Sequence, residues 1–116
     1  MEKITPEIIR DYVNDFFDID IQTKSRYRHY IYARAIYYKL CRKLTVSSLN
    51  KIAKIGTVNA THATVLNGIN NTFESIRMYE PIYYNYYLDA LDYFKLCNRN
   101  EIVVNNVNLL QGRIFF

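Results

Sequence analysis

The stretch SLNKIAKIGTVNATHATVL, residues 48–66, decides the reading of the chain. Ser47 or Ser48 can cap a short helix that carries Leu49, Ile52 and Ala53 on one side. Gly56 then breaks the pattern, and residues 54–60 form a tight connection. Thr61 or Asn59 can cap a further helix in which Val65, Leu66, Ile69, Phe73 and Ile76 recur at inward-facing spacing. Helix, short turn and helix is the sequence form of a helix-turn-helix.

Working outward, Thr5-Pro6-Glu7 opens an earlier helix. Threonine can cap, proline suits the first turn, and glutamate complements the helix dipole. Ile8, Ile9, Tyr12, Val13, Phe16 and Phe17 follow at helical spacing. In the connector Asp18-Ile19-Asp20-Ile21, the two isoleucines plug the core, and residues 22–29 read as a polar, basic loop or helix entrance. A second helix is expected over residues 30–44, with Ile36, Leu40 and Leu44 on its apolar stripe and Arg34, Lys39, Arg42 and Lys43 outside it. Pro81 opens a last helix, with Ile82, Tyr86, Leu88, Ala90, Leu91, Tyr93 and Phe94 as core candidates. The expectation is an all-α bundle of five helices over residues 1–97, followed by a short C-terminal extension over 98–116.

Charge is distributed unevenly. Residues 1–20 carry six acids and two bases, and from Glu74 onward five acids face four bases. Residues 21–73 hold no acid and nine bases: Lys24, Arg26, Arg28, Arg34, Lys39, Arg42, Lys43, Lys51 and Lys54. Burying unpaired Lys or Arg is prohibitive, so most of this charge must lie on the surface, where it favours a polyanion. The bland alternative is a solvated basic face balanced by the acidic first helix. With 116 residues, one domain is the natural unit. Fourteen Ile, twelve Asn and twelve Tyr against six Ala follow AT-rich codons. Cys41 and Cys97 form no CxxC, and with His29 and His62 they have no metal-ligand spacing. No apolar run approaches membrane length, and no nucleophile, base and acid group together. These features predict a cytoplasmic protein without cofactor, metal or catalytic function.

Two segments resemble the C-terminal DNA-binding domain of the bacterial replication initiator DnaA, over residues 13–94. The first is Ile21-Gln22-Thr23-Lys24-Ser25-Arg26-Tyr27-Arg28, running through Arg34 to Leu40-Cys41-Arg42-Lys43-Leu44-Thr45. It is similar to the family's basic loop and long helix ending in Leu-Thr. The second, Ser48-Leu49-Asn50-Lys51-Ile52-Ala53 through Thr61-His62-Ala63-Thr64-Val65-Leu66, resembles the signature Ser-Leu-x-x-Ile-Gly…Asp-His-Thr-Thr-Val-Leu with one extra residue in the turn.

The resemblance implies a Trp-repressor-like helix-turn-helix that binds double-stranded DNA. It assigns Arg26 to the minor groove, Arg34 to a DNA-contacting helix, and Lys24 and Arg28 to phosphates. His62 and Thr64 match base-contacting residues at the start of the recognition helix. Thr61 stands where the family has an acid, Ala63 where it has threonine, and Asn70 and Asn71 where bases are usual. The implied target therefore differs from the family's standard origin element. No ATP-binding part is expected within these residues, since Gly56, Gly68 and Gly112 form no phosphate loop.

A stand-alone copy in an AT-rich genome suggests a phage or mobile-element protein at a replication origin or operator. The rival is a protein-interaction module, a virion component or binder of a host replication protein that keeps the fold without specific DNA reading. A single helix-turn-helix reads few bases, so a homodimer is a further expectation. Tyr27, Tyr30 and Tyr32 either stack on bases, as in single-strand binding, or pack.

Overall fold

Threonine or serine side chains cap three of the helix starts. In the computed structural model, which describes residues 4–57 and 59–98, the first helix α1 spans Pro6–Phe17. Thr5 accepts from the Ile8 N–H through its hydroxyl, with Pro6 in the first turn. Asp18 ends α1 in the left-handed region (φ 56°), which a short polar side chain tolerates. The second helix α2 spans Arg28–Leu44, and α3 spans Leu49–Gly56 with Ser48 as its cap. The next rod starts at α4, His62–Asn67, passes through a π-helical turn, Gly68–Thr72, and continues as α5, Phe73–Tyr79. The junction residues keep right-handed helical dihedrals, so these three pieces form one rod. Pro81–Asn98 forms α6. The expected five helices are therefore five rods, and the described residues contain no strand.

Helix α2 is the axle of the domain, packing against α1, α3, the π turn, α5 and α6. Its Ala33, Ala35, Ile36, Tyr37, Tyr38, Leu40 and Cys41 are buried. Around it lie Ile9, Val13, Ile21, Ile52, Val65, Phe73, Ile76, Tyr87, Ala90 and Phe94, forming one core. Ile21 is buried and Ile19 half-buried, as the connector reading expects. Buried tyrosines need partners for their hydroxyls. Tyr37 donates to the Ile52 carbonyl (2.8 Å), and the Tyr38 hydroxyl pairs with that of Thr57 (2.7 Å).

The two helical glycines are explained by these rings. A Cβ on Gly56 would collide with the Tyr37 ring, and one on Gly68 would sit 2.6 Å from Tyr38 Cδ2. Gly56 is thus the last residue of α3, placed for close approach, and does not break the helix as the sequence pattern suggested.

Other expectations shift at the edges. Helix α2 begins at Arg28, two residues before the expected start. The π turn adds a residue, so the buried positions of the rod run Val65, Gly68, Phe73, Ile76, with a five-residue step across the turn. Leu66 consequently lies outside this narrow stripe and is exposed. On α6 the buried face is Tyr87, Ala90, Leu91 and Phe94, which leaves Ile82, Leu88 and Tyr93 exposed and Tyr86 half-buried. The extension over residues 98–116 falls outside the described side chains.

Candidate nucleic-acid interface

The connector between α1 and α2 satisfies only part of its own backbone, as where the Thr23 N–H donates to the Asp20 carbonyl (2.9 Å), because it is neither helix nor strand. Side chains supply the missing bonds. Asn14 accepts from the Ile21 N–H (2.9 Å), and Asp20 accepts from that of Gln22 (2.9 Å). The Arg34 guanidinium, reaching back from α2, donates to three carbonyls of the loop: Ile21 (2.9 Å), Ser25 (2.8 Å) and Thr23. From the other side, the Gln22 amide donates to the carbonyl of Ile55 near the end of α3 (2.9 Å), which Arg10 also approaches. The basic loop is thus tied to α2 and to α3 at once.

On this tethered loop Lys24 and Arg26 are exposed, as is Arg28 at the first position of α2. Arg28 lies 6.0 Å from the Tyr32 ring centroid. Among the described residues, the ion pairs are Arg10–Asp11 and Arg77–Glu74, and none of the nine bases of residues 21–73 lies within ion-pair distance of an acid. An unneutralised cluster beside a fixed backbone is a field that an anion can enter.

The second component is the turn and the rod it leads into. Thr57 ends α3, and Asn59 takes a left-handed conformation (φ 64°) in the turn. Thr61 and Thr64 form a reciprocal capping box: Thr61 Oγ1 accepts from the Thr64 N–H (3.4 Å) and Thr64 Oγ1 from the Thr61 N–H (3.3 Å). Both hydroxyls are therefore engaged in starting the helix. His62 and Ala63 are exposed beside them, and His62 makes no hydrogen bond among the described residues. Further along, Leu66, Asn67, Asn70 and Asn71 are also exposed, with the Asn71 amide donating to Asn67 one turn earlier.

One stretch of α2 relates the two components. Arg34 holds the loop. Four residues on, Tyr38 meets Thr57 at the entrance of the turn and Gly68 in the rod. The predicted residues thus fall into two groups: Lys24, Arg26 and Arg28 on the loop side, and Thr61, His62, Ala63 and Thr64 on the first turn of α4. Arg34 stands between them with its head group on the loop carbonyls. The residues that align the groups, Gln22, Tyr38, Thr57 and Gly68, were not singled out from sequence. The spacing of Tyr38 one turn after Arg34 was the available signal.

The other positively charged residues are dispersed. Lys39 lies over the Phe73 ring (5.4 Å), while Arg42, Lys43, Lys51 and Lys54 are exposed on α2 and α3. A cleft of about 410 Å³ is lined by Ile4, Lys43, Leu44, Thr45, Val46, Phe94 and Lys95. His29 bridges Tyr83 and the Phe17 carbonyl as a packing residue. Among the described residues no group of His, Cys, Asp and Glu converges in a way that could hold a metal, and no helix is long and apolar enough to cross a membrane. Cys41 is buried, which pushes its thiol up to about 12.

Comparison with known proteins agrees with this architecture. The family described as bacterial dnaA protein helix-turn-helix matches residues 6–71, more than half of the chain. The chain is also similar to the chromosomal replication initiator protein DnaA of Lachnoclostridium phytofermentans, at 35% identity over 85 residues. That alignment covers 71% of this chain but 18% of the initiator, so the chain spans less than a fifth of that relative's length. No solved structure matches. By the extent of the family match and by the loop, the turn and the start of the rod that it encloses, the chain belongs to the bacterial DnaA helix-turn-helix family.

Proposed function

We propose that this chain binds double-stranded DNA, with the first turn of α4 entering the major groove and the basic loop reaching the adjacent minor groove. The observation that carries the reading is the shared anchorage of the two components. Arg34 and Tyr38 of one helix fix the loop and the turn, so cations and a helix start are held together without a neutralising acid. Binding then requires little ordering of the interface, which lowers its entropic cost.

In this reading Lys24 and Arg28 hold phosphates, and Arg26 enters the minor groove, where a narrow A·T-rich groove concentrates negative potential. His62 meets a base edge. Thr61 and Thr64 set the helix start, because their hydroxyls are engaged with each other's backbone, and their methyl groups are left for thymine contact. Ala63 offers only a methyl at the base edge. Arg34 acts through the loop it holds. No bond is made or broken; the function is occupancy of an origin or operator by a cytoplasmic protein of phage or mobile-element descent.

A second reading is favoured by the outer face of the rod. Ala63, Leu66, Asn67, Asn70 and Asn71 are exposed and uncharged, a surface suited to a protein such as a host replication factor, a virion component or a second copy of this chain.

The test is binding to random-sequence duplex across a salt series, followed by selection of retained sequences. Neutralising about six phosphates gives a slope of log K on log salt of about −5, or roughly a thousandfold loss between 50 and 200 mM salt. Replacing Arg26 and His62 by Ala should lower affinity; full retention would favour the protein-interaction reading.

A further inference from the structure

We propose that Tyr27 is a stacking wedge: its ring leaves water by packing on a nucleobase at a partly unstacked step of the bound duplex, next to the groove that Arg26 occupies. The proposal rests on the DNA-binding reading above. It starts from what the tyrosines of this chain do. Ten of the twelve touch another ring or lie under a guanidinium. Tyr30 is one of these, 5.9 Å from the Arg34 head group, and Tyr32 is another, held by Tyr83 and by a hydrogen bond to Glu80.

Two rings have no such contact among the described residues: Tyr27, 78% exposed, and Tyr79, 71% exposed. A single exposed apolar side chain is ordinary. What distinguishes Tyr27 is its setting. It is flanked in sequence by Arg26 and Arg28, both exposed and outside any ion pair, whereas Tyr79 is followed by Glu80. Its backbone is also fixed. The Tyr27 N–H donates to Ser25 Oγ (3.2 Å), the Ser25 carbonyl accepts from Arg34, and the Tyr27 carbonyl accepts from Tyr30 and Ile31 at the start of α2.

A large ring projected from a tethered backbone between two cations meets both requirements of a stacking site. Phosphate attraction brings DNA to the ring, and little backbone entropy is lost when the ring stacks. Proteins that enter the minor groove commonly push an apolar side chain between base steps, and the unstacking this requires costs least where a base is already unpaired.

The experiment compares a short A·T-rich duplex with the same duplex carrying one unpaired adenine at its centre. Wild type, Tyr27→Phe, Tyr27→Ala and Tyr79→Ala are titrated against both. The wedge predicts that wild type, Tyr27→Phe and Tyr79→Ala prefer the interrupted duplex by about tenfold, and that Tyr27→Ala loses the preference, its affinity falling more on the interrupted than on the paired duplex. Irradiating the complex with 5-iododeoxyuridine at the step beside the unpaired adenine should yield an adduct on Tyr27. Retention of the preference by Tyr27→Ala, or absence of any preference in wild type that still binds the paired duplex, overturns the wedge alone. Failure of wild type to bind either duplex at about 50 mM salt overturns the DNA-binding reading and the wedge with it.

Discussion

Arg34 gives the most direct test of how the interface is built. Its three hydrogen bonds go to loop carbonyls at Ile21, Thr23 and Ser25, the first and last part-buried and the middle one exposed. A charge-assisted hydrogen bond contributes about 1.5–3 kcal/mol when shielded, and less where water competes. Taking about 1 kcal/mol for each part-buried bond and little for the exposed one, Arg34→Ala should cost roughly 2 kcal/mol, read as a lower urea midpoint. The effect on DNA should exceed what one charge explains. A released loop scatters Lys24 and Arg26, so the salt slope should shallow by about two units, whereas losing a single phosphate contact would shallow it by about 0.9. Arg34→Lys separates the two ideas. Lysine keeps the charge but lacks the planar fork that reaches three carbonyls, so the lysine variant should resemble the alanine one in both assays. If Arg34→Lys instead matches wild type in urea midpoint and salt slope, Arg34 serves as a charge toward DNA, and the argument for a tethered loop fails.

Gly68→Ala should be destabilising by about 1–3 kcal/mol in urea titration, although alanine is the better helix former, because its Cβ meets the Tyr38 ring. In the turn, Asn59→Gly should be nearly neutral and Asn59→Val should cost about 1–2 kcal/mol in the same assay, since a β-branched residue resists positive φ. Burial raises Cys41 from 9.0 and Tyr87 from 10.0, each to about 12, and raises Tyr37 and Tyr38 as well. The folded state thus favours their neutral forms. That contribution is fully present below about pH 9 and is lost as pH climbs toward 12, so the urea midpoint should be level near neutrality and fall through this alkaline window. A midpoint unchanged to pH 11.5 would contradict the burial of these groups.

What sequence revealed was local. Thr5, Ser48 and Thr61 cap their helices because a hydroxyl can satisfy an N–H two or three residues away, and that relation is written in the sequence spacing. Arg26 and His62 were singled out by the family resemblance, and both are exposed, one on the loop before α2 and one at the start of α4. What sequence concealed depends on other elements. Gly56 and Gly68 look like interruptions until the Tyr37 and Tyr38 rings are placed against them. The π turn moves the inward face by one residue, so a constant helical period wrongly turned Leu66 inward. On α6, Ile82, Leu88 and Tyr93 were expected in the core from apolarity alone, yet the helix buries a single face centred on Tyr87, Ala90 and Phe94. Tyr87, not among the expected core residues, is buried with the Phe73 ring 4.7 Å away, a partner on another element. The tether from Arg34 to carbonyls 9 to 13 residues earlier has no periodic signature at all.

The same helix therefore builds the core and sets the interface. Tyr37 fixes α3 through the Ile52 carbonyl and Gly56, Tyr38 fixes the turn and the rod, and Arg34 fixes the loop, all within little more than one turn of α2. The exposed residues of the rod carry none of this framework. Under the proposed DNA-binding reading, exchanges at Ala63, Asn70 or Asn71 should alter sequence preference while leaving the geometry intact, because those side chains are exposed and hold no part of the core. The charges sit elsewhere, on the loop and on α2 and α3. Affinity and its salt dependence should thus follow the loop, and sequence preference should follow the uncharged start of the rod, so changes in the two sets should add when combined unless the Arg34–Tyr38 frame itself is altered.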